Sequence, residues 1–366
     1  MRICAICAGF ASWYGGVEIA LNYLSQYWVK QGHEVYILCG RGPKAMPNGV
    51  KVLKIPFISR KYFDKLPLIN RFLFFLPTFE LESFSMLPFL LPRLKKVNPD
   101  LVLTVTLPET MASLLLGFPT IMISQAGSWY RLNIYKKVDL IIVNEPFSLF
   151  RLKSMGFKVK LILNGVEIKN IEPSFLEEVR SKYNIPKNGI KILSIARLDS
   201  QKRIHFLIEA FKLIQEKAVL VIVGEGPELQ RLKQMCTSIQ NRVIFLSRVP
   251  HEEILALHKL CDVFSLPSSG EAFGLVIMEA LSSGKHVVTN PEPVKKFLLN
   301  DYGIFVNVED PKKYSQALLF AATHKLDTSC IKFKKYVSKF SWEKIAQEYL
   351  DVFRRVLQER DKIYDF

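Results

Sequence analysis

The feature that most constrains this chain is an alternation, sustained almost from end to end, of short apolar runs with segments whose apolar residues recur at helical spacing. Such alternation requires parallel sheets with helices on both faces, because parallel neighbours can be joined only through a crossover. The opening unit is clear. Arg2 to Ala8 is an apolar run, a turn contains Gly15 and Gly16, and Val17, Ala20, Leu21, Leu24 and Trp28 then share a helical face. Gly32 closes that helix, and Glu34 to Cys39 supplies the next strand. Further strands are expected at Leu101 to Thr106, Thr120 to Ser124, Val138 to Val143 and Val159 to Leu163. A second series runs through Ile190 to Ile195, Val219 to Val223, Val243 to Leu246, Val263 to Leu266, His286 to Thr289 and Ile304 to Val306.

Two such series in 366 residues imply two doubly wound α/β domains. The polar stretch Asn164 to Gly189, with Pro173 and Pro186, is the expected linker. The final helix, Ser341 to Arg360, carries Trp342, Ile345, Ala346, Tyr349, Val352, Phe353 and Val356 on one face and must dock on another element. The expected division is 1–168, 169–340 and a closing helix in 341–366. Sheets of this kind bind ligands beyond the carboxyl ends of their strands, so a cleft shared by two facing sheets is the expected active site.

Composition narrows the partners. A hydrophobic content of 49% excludes whole-chain disorder. Fifty basic against thirty-four acidic residues leave +16, which favours a nucleotide or an anionic membrane surface; no recognition-helix, zinc-finger or RNA-binding motif supports nucleic acid. Six cysteines within a long chain make no disulfide framework and point to a reducing cytoplasm. Cys4 and Cys7 lie in a strand rather than on the turn that opens a helix, so they read as buried thiols. The first residues lack the charged lead and cleavage site of a secretory leader. Phe72 to Leu91 is interrupted by Pro77, Glu80, Glu82 and Pro88, so no spanning helix is expected and the prolines should prevent one long amphipathic helix. Around it, Lys51, Lys54, Arg60, Lys61, Lys65, Arg71, Arg93, Lys95 and Lys96 interleave with Tyr62, Phe63, Phe72, Phe74, Phe75, Phe79, Phe84 and Phe89. That pattern suits either peripheral contact with a cytoplasmic membrane face or a core with a wet basic rim.

The richest constellation runs from Ser265 to Leu281. A strand ends near Pro267, a loop presents Glu271, and helical spacing resumes with Glu279 eight positions on. A helix opening at a glycine loop offers N–H groups and a positive dipole end to phosphate. A carboxylate in its first turns can accept from a ribose diol and one in the preceding loop from sugar hydroxyls; spacing alone equally allows a dipole complement and a solvated loop acid. Arg197 and Lys202, five apart across a strand-to-helix turn, can straddle a diphosphate or be two solvated cations. Gly224-Glu-Gly226-Pro follows another strand, but Leu229 leaves the dinucleotide fingerprint incomplete.

Taken in order, these pieces resemble the retaining glycosyltransferases of family 4, which have the GT-B fold. The resemblance runs through Gly15-Gly16-Val-Glu18, Ile162-Leu-Asn164-Gly165-Val, Arg197 with Lys202, Gly224-Glu-Gly226-Pro, Asp262-Val-Phe-Ser-Leu-Pro267-Ser, the E-x7-E pair Glu271 and Glu279, and the closing helix after Phe340-Ser-Trp342. It implies two Rossmann-like domains, an acceptor-binding first and a donor-binding second, with the closing helix returning to the first. It implies Arg197 and Lys202 on the donor diphosphate, Glu279 on the ribose and Glu271 on the transferred sugar. Backbone near Phe273, Gly274 and Leu275, with Gly16 and Gly226, completes the donor set. The implied reaction moves a sugar from a nucleotide-diphosphate sugar to a glycan or lipid-linked hydroxyl with retention, by same-face attack or double displacement. Arg197 and Lys202 can neutralise the leaving diphosphate without a metal, in agreement with the absence of any D-x-D pair, so neither metal nor cofactor is expected.

Three departures stand out. A first-domain histidine common in the family is replaced in the region Ser124-Gln125-Ala126-Gly127, where Gln125 can bond but cannot act as a base. Arg203 stands where a glycine commonly follows the lysine, and the stretch after Asn290 lacks the expected glycine pair and acid. Two other readings are a sugar-nucleotide epimerase or hydrolase on the same fold, and a basic membrane-surface protein without catalysis. A zinc protease is excluded, because Leu255 occupies the second histidine position of H-E-x-x-H after His251-Glu252.

Overall fold

The computed structural model describes residues 1–10, 16–40, 48–59, 62, 78–124, 133–247 and 249–364. The chain forms two compact units, Met1–Gly165 with Trp342–Phe366, and Val166–Ser341.

The first unit contains β1 (Arg2–Ile6), α1 (Gly16–Lys30), β2 (Glu34–Cys39), β3 (Lys51–Lys54), α2 (Thr78–Val97), β4 (Leu101–Thr104), α3 (Leu107–Leu115), β5 (Thr120–Ser124), β6 (Leu140–Val143), α4 (Pro146–Ser154) and β7 (Val159–Leu161). Its strands form one parallel sheet ordered β3-β2-β1-β4-β5-β6-β7. Every residue of β4 is buried and only Arg2 of β1 is not, as strands covered on both faces require. Cys4 and Cys7 are buried free thiols whose pKa values burial raises, so neither is poised for redox chemistry. Chain direction across the sheet reverses between β1 and β4, which places the switch point of this unit there.

The expectation that prolines prevent a long helix is overturned by α2, twenty residues with Pro88 and Pro92 inside it. Both prolines lie on the exposed side, where carbonyls deprived of N–H partners meet water, whereas Met86, Leu90, Leu94 and Val97 enter the core. Burial of such side chains contributes about 1.5–3 kcal/mol each, enough to offset about 3 kcal/mol per proline. No described helix is long and apolar enough to cross a membrane.

The second unit contains α5 (Pro173–Lys182), β8 (Ile190–Ile195), α6 (Ile204–Lys212), β9 (Ala218–Val223), α7 (Leu229–Met235), β10 (Val243–Leu246), α8 (His251–Leu260), β11 (Val263–Ser265), α9 (Leu275–Ser282), β12 (His286–Thr289), α10 (Pro293–Leu299), β13 (Gly303–Phe305), α11 (Pro311–Thr323) and α12 (Ile331–Ser338). Its parallel sheet is ordered β10-β9-β8-β11-β12-β13, with the switch point between β8 and β11. The boundary between the units, Gly165 to Val166, falls at the start of the stretch expected to be the linker, and the rest of that stretch belongs to this unit: Pro173 opens α5 at a position where a missing N–H costs nothing. Val179 of α5 is buried, and Lys182 and Tyr183 bond Glu253 of α8.

The closing helix α13 (Trp342–Tyr364) belongs to the first unit. Tyr23 of α1 stacks on Trp342 at 5.2 Å, and Trp28 meets Phe353 edge-on at 5.2 Å while its Nε1 donates to the Ala346 carbonyl at 3.2 Å. Near the far end Arg360 pairs with Asp139 at 2.7 Å.

Candidate active site

In the second unit the loops after β8 and β11 flank the switch point, and both strands bring the expected residues to it. Lys202 Nζ lies 2.6 Å from Glu271 Oε1. The two side chains sit 69 positions apart in sequence, so strand order rather than local spacing makes the pair. Arg197 is 74% exposed, with Nε 3.6 Å from Asp199 Oδ2, leaving its guanidinium available to solvent-borne anions. Asp199 also accepts from the Gln201 amide, and that short 3-10 turn delivers Lys202.

Arg203 then turns the chain into α6 with φ +55°, the left-handed region in which glycine is favoured. Its guanidinium bonds Glu309 at 2.8 Å and lies 4.9 Å from the centre of the Phe206 ring. The extra cation is therefore already paired.

The glycines after β9 have a packing reason. A Cβ at Gly224 would stand 1.8 Å from the Ala196 carbonyl oxygen, and one at Gly226 2.2 Å from that of Leu198. Leu198 donates to the Glu225 carbonyl at 2.8 Å and accepts from the Glu228 amide at 3.0 Å, so the two loops close against each other.

After β11 the loop is held on both sides. The Ser269 amide donates to the Gln201 carbonyl at 2.8 Å, and the Gly270 amide to Glu292 Oε1 at 3.1 Å. Phe273 is buried beneath the loop, and Gly274, at φ +72°, is the N-cap from which α9 starts at Leu275. With no side-chain cap, α9 presents its first N–H groups and the positive end of its dipole at this loop.

One turn into α9, Glu279 is 3% exposed and its pKa is raised to about 7, by burial first and by the Glu167 carboxylate second. Its oxygens lie 3.7 Å from His251 Nε2 and 3.9 Å from His258 Nε2. Burial holds both imidazoles below their ordinary pKa, His258 at about 3, so these contacts are not ion pairs. Oε2 of Glu279 has no hydrogen-bond partner. The buried Nε2 of His258, 3.9 Å from that oxygen, has no partner either, and a buried acceptor without a donor is costly.

Sequence reasoning missed Lys295. Its side chain is 0% exposed, and its Nζ reaches the Ser268 carbonyl at 2.5 Å, Asn290 Oδ1 at 2.6 Å and Glu292 Oε2 at 3.3 Å. The only signal was that Lys295 shares a helical face with Leu298 and Leu299, while Lys296 does not.

In the first unit Gly16 opens α1 and is exposed. Gln125 lies outside the described residues, as do Arg60, Lys61, Phe63, Lys65, Arg71, Phe72, Phe74 and Phe75 of the basic and aromatic stretch. Of that stretch Phe84 is half-buried, whereas Tyr62, Phe89, Lys51, Lys54, Arg93, Lys95 and Lys96 are exposed. No group of three metal-binding side chains occurs among the described residues.

The switch point of the first unit is spanned by Glu109. One oxygen accepts from the Ala8 amide at 3.2 Å, and the other from those of Val105 and Thr106 at 2.9 and 3.0 Å. Glu80 accepts from Leu107 at 3.0 Å, and burial raises both carboxyl pKa values to about 7.

Two parallel-sheet, Rossmann-like units are the architecture of the GT-B fold, and two family models agree. "Glycosyltransferase Family 4" matches residues 14–170 and "Glycosyl transferases group 1" matches residues 176–340. The chain belongs to glycosyltransferase family 4. Among curated relatives, an alpha-monoglucosyldiacylglycerol synthase of Streptococcus pneumoniae is 31% identical across 43% of this chain and 38% of that one. A phosphatidylinositol N-acetylglucosaminyltransferase subunit of Saccharomyces cerevisiae is 24% identical across 97% and 83%. Matches to two uncharacterized glycosyltransferases of Methanocaldococcus jannaschii span only 60% and 55% of those proteins. The solved structure of Anabaena HepE with UDP and glucose superposes with a TM-score of 0.74 at 18% identity, covering 97% of this chain and 99% of that one.

Proposed function

We propose that the protein transfers a glycosyl group from a nucleoside-diphosphate sugar to a hydroxyl acceptor, with retention and without a metal. The observation that carries this reading is the Lys202–Glu271 contact at the switch point, with the partnerless oxygen of Glu279 one turn into the adjoining helix. Arg197, Lys202 and the first amides of α9 receive the diphosphate, the ribose diol donates to Glu279, and Glu271 meets the sugar. The bond from the anomeric carbon to the diphosphate oxygen breaks as positive charge grows on the sugar, and the two cations neutralise the leaving group. The acceptor oxygen bonds the anomeric carbon on the same face, and its proton passes to the departing phosphate oxygen. A Glu271 engaged by an ammonium at 2.6 Å is a poor nucleophile, which favours this route over double displacement.

The acceptor reading is lipid-linked, at an anionic membrane surface. It is supported by relatives named for diacylglycerol and phosphatidylinositol, and by exposed Tyr62 and Phe89 in a stretch with exposed Lys54, Arg93, Lys95 and Lys96. The deciding assay offers a panel of nucleotide sugars, reads nucleoside diphosphate release and product anomer, and repeats it in chelator and with lipid acceptors. Transfer in chelator with the donor's anomeric configuration supports the proposal. An absolute manganese requirement, an inverted product, or release of free sugar with no acceptor used would each overturn the corresponding part.

A further inference from the structure

Lys295 is an uncommon object: a lysine with no exposed surface, on the short helix α10. An ammonium has three N–H donors, and three oxygens surround this one: the Ser268 carbonyl, Asn290 Oδ1 and Glu292 Oε2. None of the three belongs to the core alone. Ser268 is in the loop that carries Glu271, and Asn290 is in the loop after β12. Glu292 uses its other oxygen to receive the Gly270 amide at 3.1 Å, so the same carboxylate ties Lys295 to the residue just before Glu271. On the opposite side hydrogen bonds among the described residues tie the loop through Ser269 to Gln201 and through Glu271 to Lys202. Thr289 Oγ1 adds one bond, to the Leu266 carbonyl at 2.6 Å, near the root of the loop. Removing Lys295 would take the ammonium donor from the buried Ser268 carbonyl, leave Asn290 Oδ1 with Thr289 Oγ1 at 3.3 Å, and remove the charge facing half-buried Glu292, loosening the loop along one edge.

We propose that Lys295 is a positioning residue for glycosyl transfer, its buried ammonium fixing the Ser268–Glu271 loop so that Glu271 meets the sugar at a set distance. The role rests on the proposed place of Glu271 at the transferred sugar. A misplaced carboxylate costs rate more than affinity, because Arg197 and Glu279 hold the donor from outside this loop, whereas the groups the loop positions, Glu271 and through it Lys202, act on the charge that develops as the sugar leaves.

Lys295→Met keeps length and apolar bulk while removing the donors, and Glu292→Gln keeps an acceptor for Gly270 while removing the charge facing Lys295. The expected result for Lys295→Met is a kcat lowered at least tenfold with the donor KM within threefold of wild type. In hydrogen exchange, the amides of Ser269 and Gly270 should lose protection while the strands of the second unit keep theirs. Glu292→Gln should show the same pattern in weaker form, and it serves if Lys295→Met does not fold. A kcat within threefold of wild type, or exchange raised evenly across the second unit, overturns the proposal by making Lys295 an ordinary core residue. An inactive wild type would sink the reading of the site and this role together. The exchange measurement separates the two failures, because it reports the tie from Lys295 to the loop without any substrate.

Discussion

The two units answer the same structural problem differently at their switch points. In the first, three backbone N–H groups converge from the ends of β1 and β4, and Glu109 accepts all of them. In the second, the corresponding place between β8 and β11 is bridged by side chains, Lys202 to Glu271, while Glu279 keeps an oxygen without a donor. Burial raises the pKa of Glu109 and Glu279 alike to about 7, so the shift alone does not tell a structural acid from a functional one. Satisfaction does. A carboxylate whose oxygens are consumed by its own backbone caps a helix; one whose oxygen lacks a donor can still accept from a bound ligand, as proposed for Glu279.

The largest effect that would break this contrast is at Lys202. If it stabilises charge on the leaving group, Lys202→Ala should lower kcat by about 3–4 kcal/mol, roughly a hundred- to a thousandfold, without unfolding the protein. Turnover at the wild-type level would mean that the diphosphate lies elsewhere. Next comes Glu279→Gln, expected to raise the donor KM about thirtyfold, near 2 kcal/mol, with kcat little changed, because a ribose contact is alike in ground and transition states. Glu271→Gln should do the reverse and lower kcat. Identical kinetic signatures for the two would remove the division of roles.

Glu109→Gln should behave as a stability variant. Its amide nitrogen cannot accept, so at least one of the N–H groups from Ala8, Val105 and Thr106 loses its partner, and unfolding should become easier by about 1–2 kcal/mol. Donor KM should not move. A denaturant melt beside a donor titration reads both, and a change in KM without a change in stability would make the first switch point functional as well.

Most of this contrast could be read from sequence on one side only. The family resemblance carried by the E-x7-E pair singled out Glu271 and Glu279, and strand alternation, a local signal, located β8 and β11 beside them. Glu109 was not legible. Its partners include an amide 101 positions away, and an acid three residues after Thr106 looks like any helix N-terminus. Lys295 stands beside exposed Lys296, and only the helical face it shares with Leu298 and Leu299 sets it apart. The strand β3 escaped because its four residues begin and end in exposed lysines, so no apolar run marks it. The helix α2 was not legible because the cost of a proline depends on its face: Pro88 and Pro92 are four apart and both are exposed, away from the core. In each case tertiary packing chose between local readings that the residues themselves left level.

The smallest expected effect is a pH dependence that Glu279 alone should produce. Its folded pKa of about 7 lies above the ordinary carboxyl value of 4.5, so below pH 7 the free protein holds it increasingly as the acid. The acid form has one hydroxyl donor and a single good acceptor, a poor match for two ribose hydroxyls, whereas the carboxylate accepts both. Donor KM should therefore rise as pH falls, by up to about tenfold at pH 6, or about 1.4 kcal/mol. The other groups facing Glu279 do not produce this trend: burial lowers the pKa of His251 and His258, and Glu167, by its negative charge, only assists protonation. The same raised pKa has a consequence for folding with the opposite preference. A protonated Glu279 is favoured in the folded state, so its contribution to stability is fully present below pH 4.5 and lost as pH rises through 7. Tighter donor binding and weaker intrinsic stability should thus appear together on going from pH 6 to pH 8, and Glu279→Gln should flatten the KM profile. A donor KM that is level from pH 6 to pH 8 in the wild type would show that the partnerless oxygen does not meet the donor.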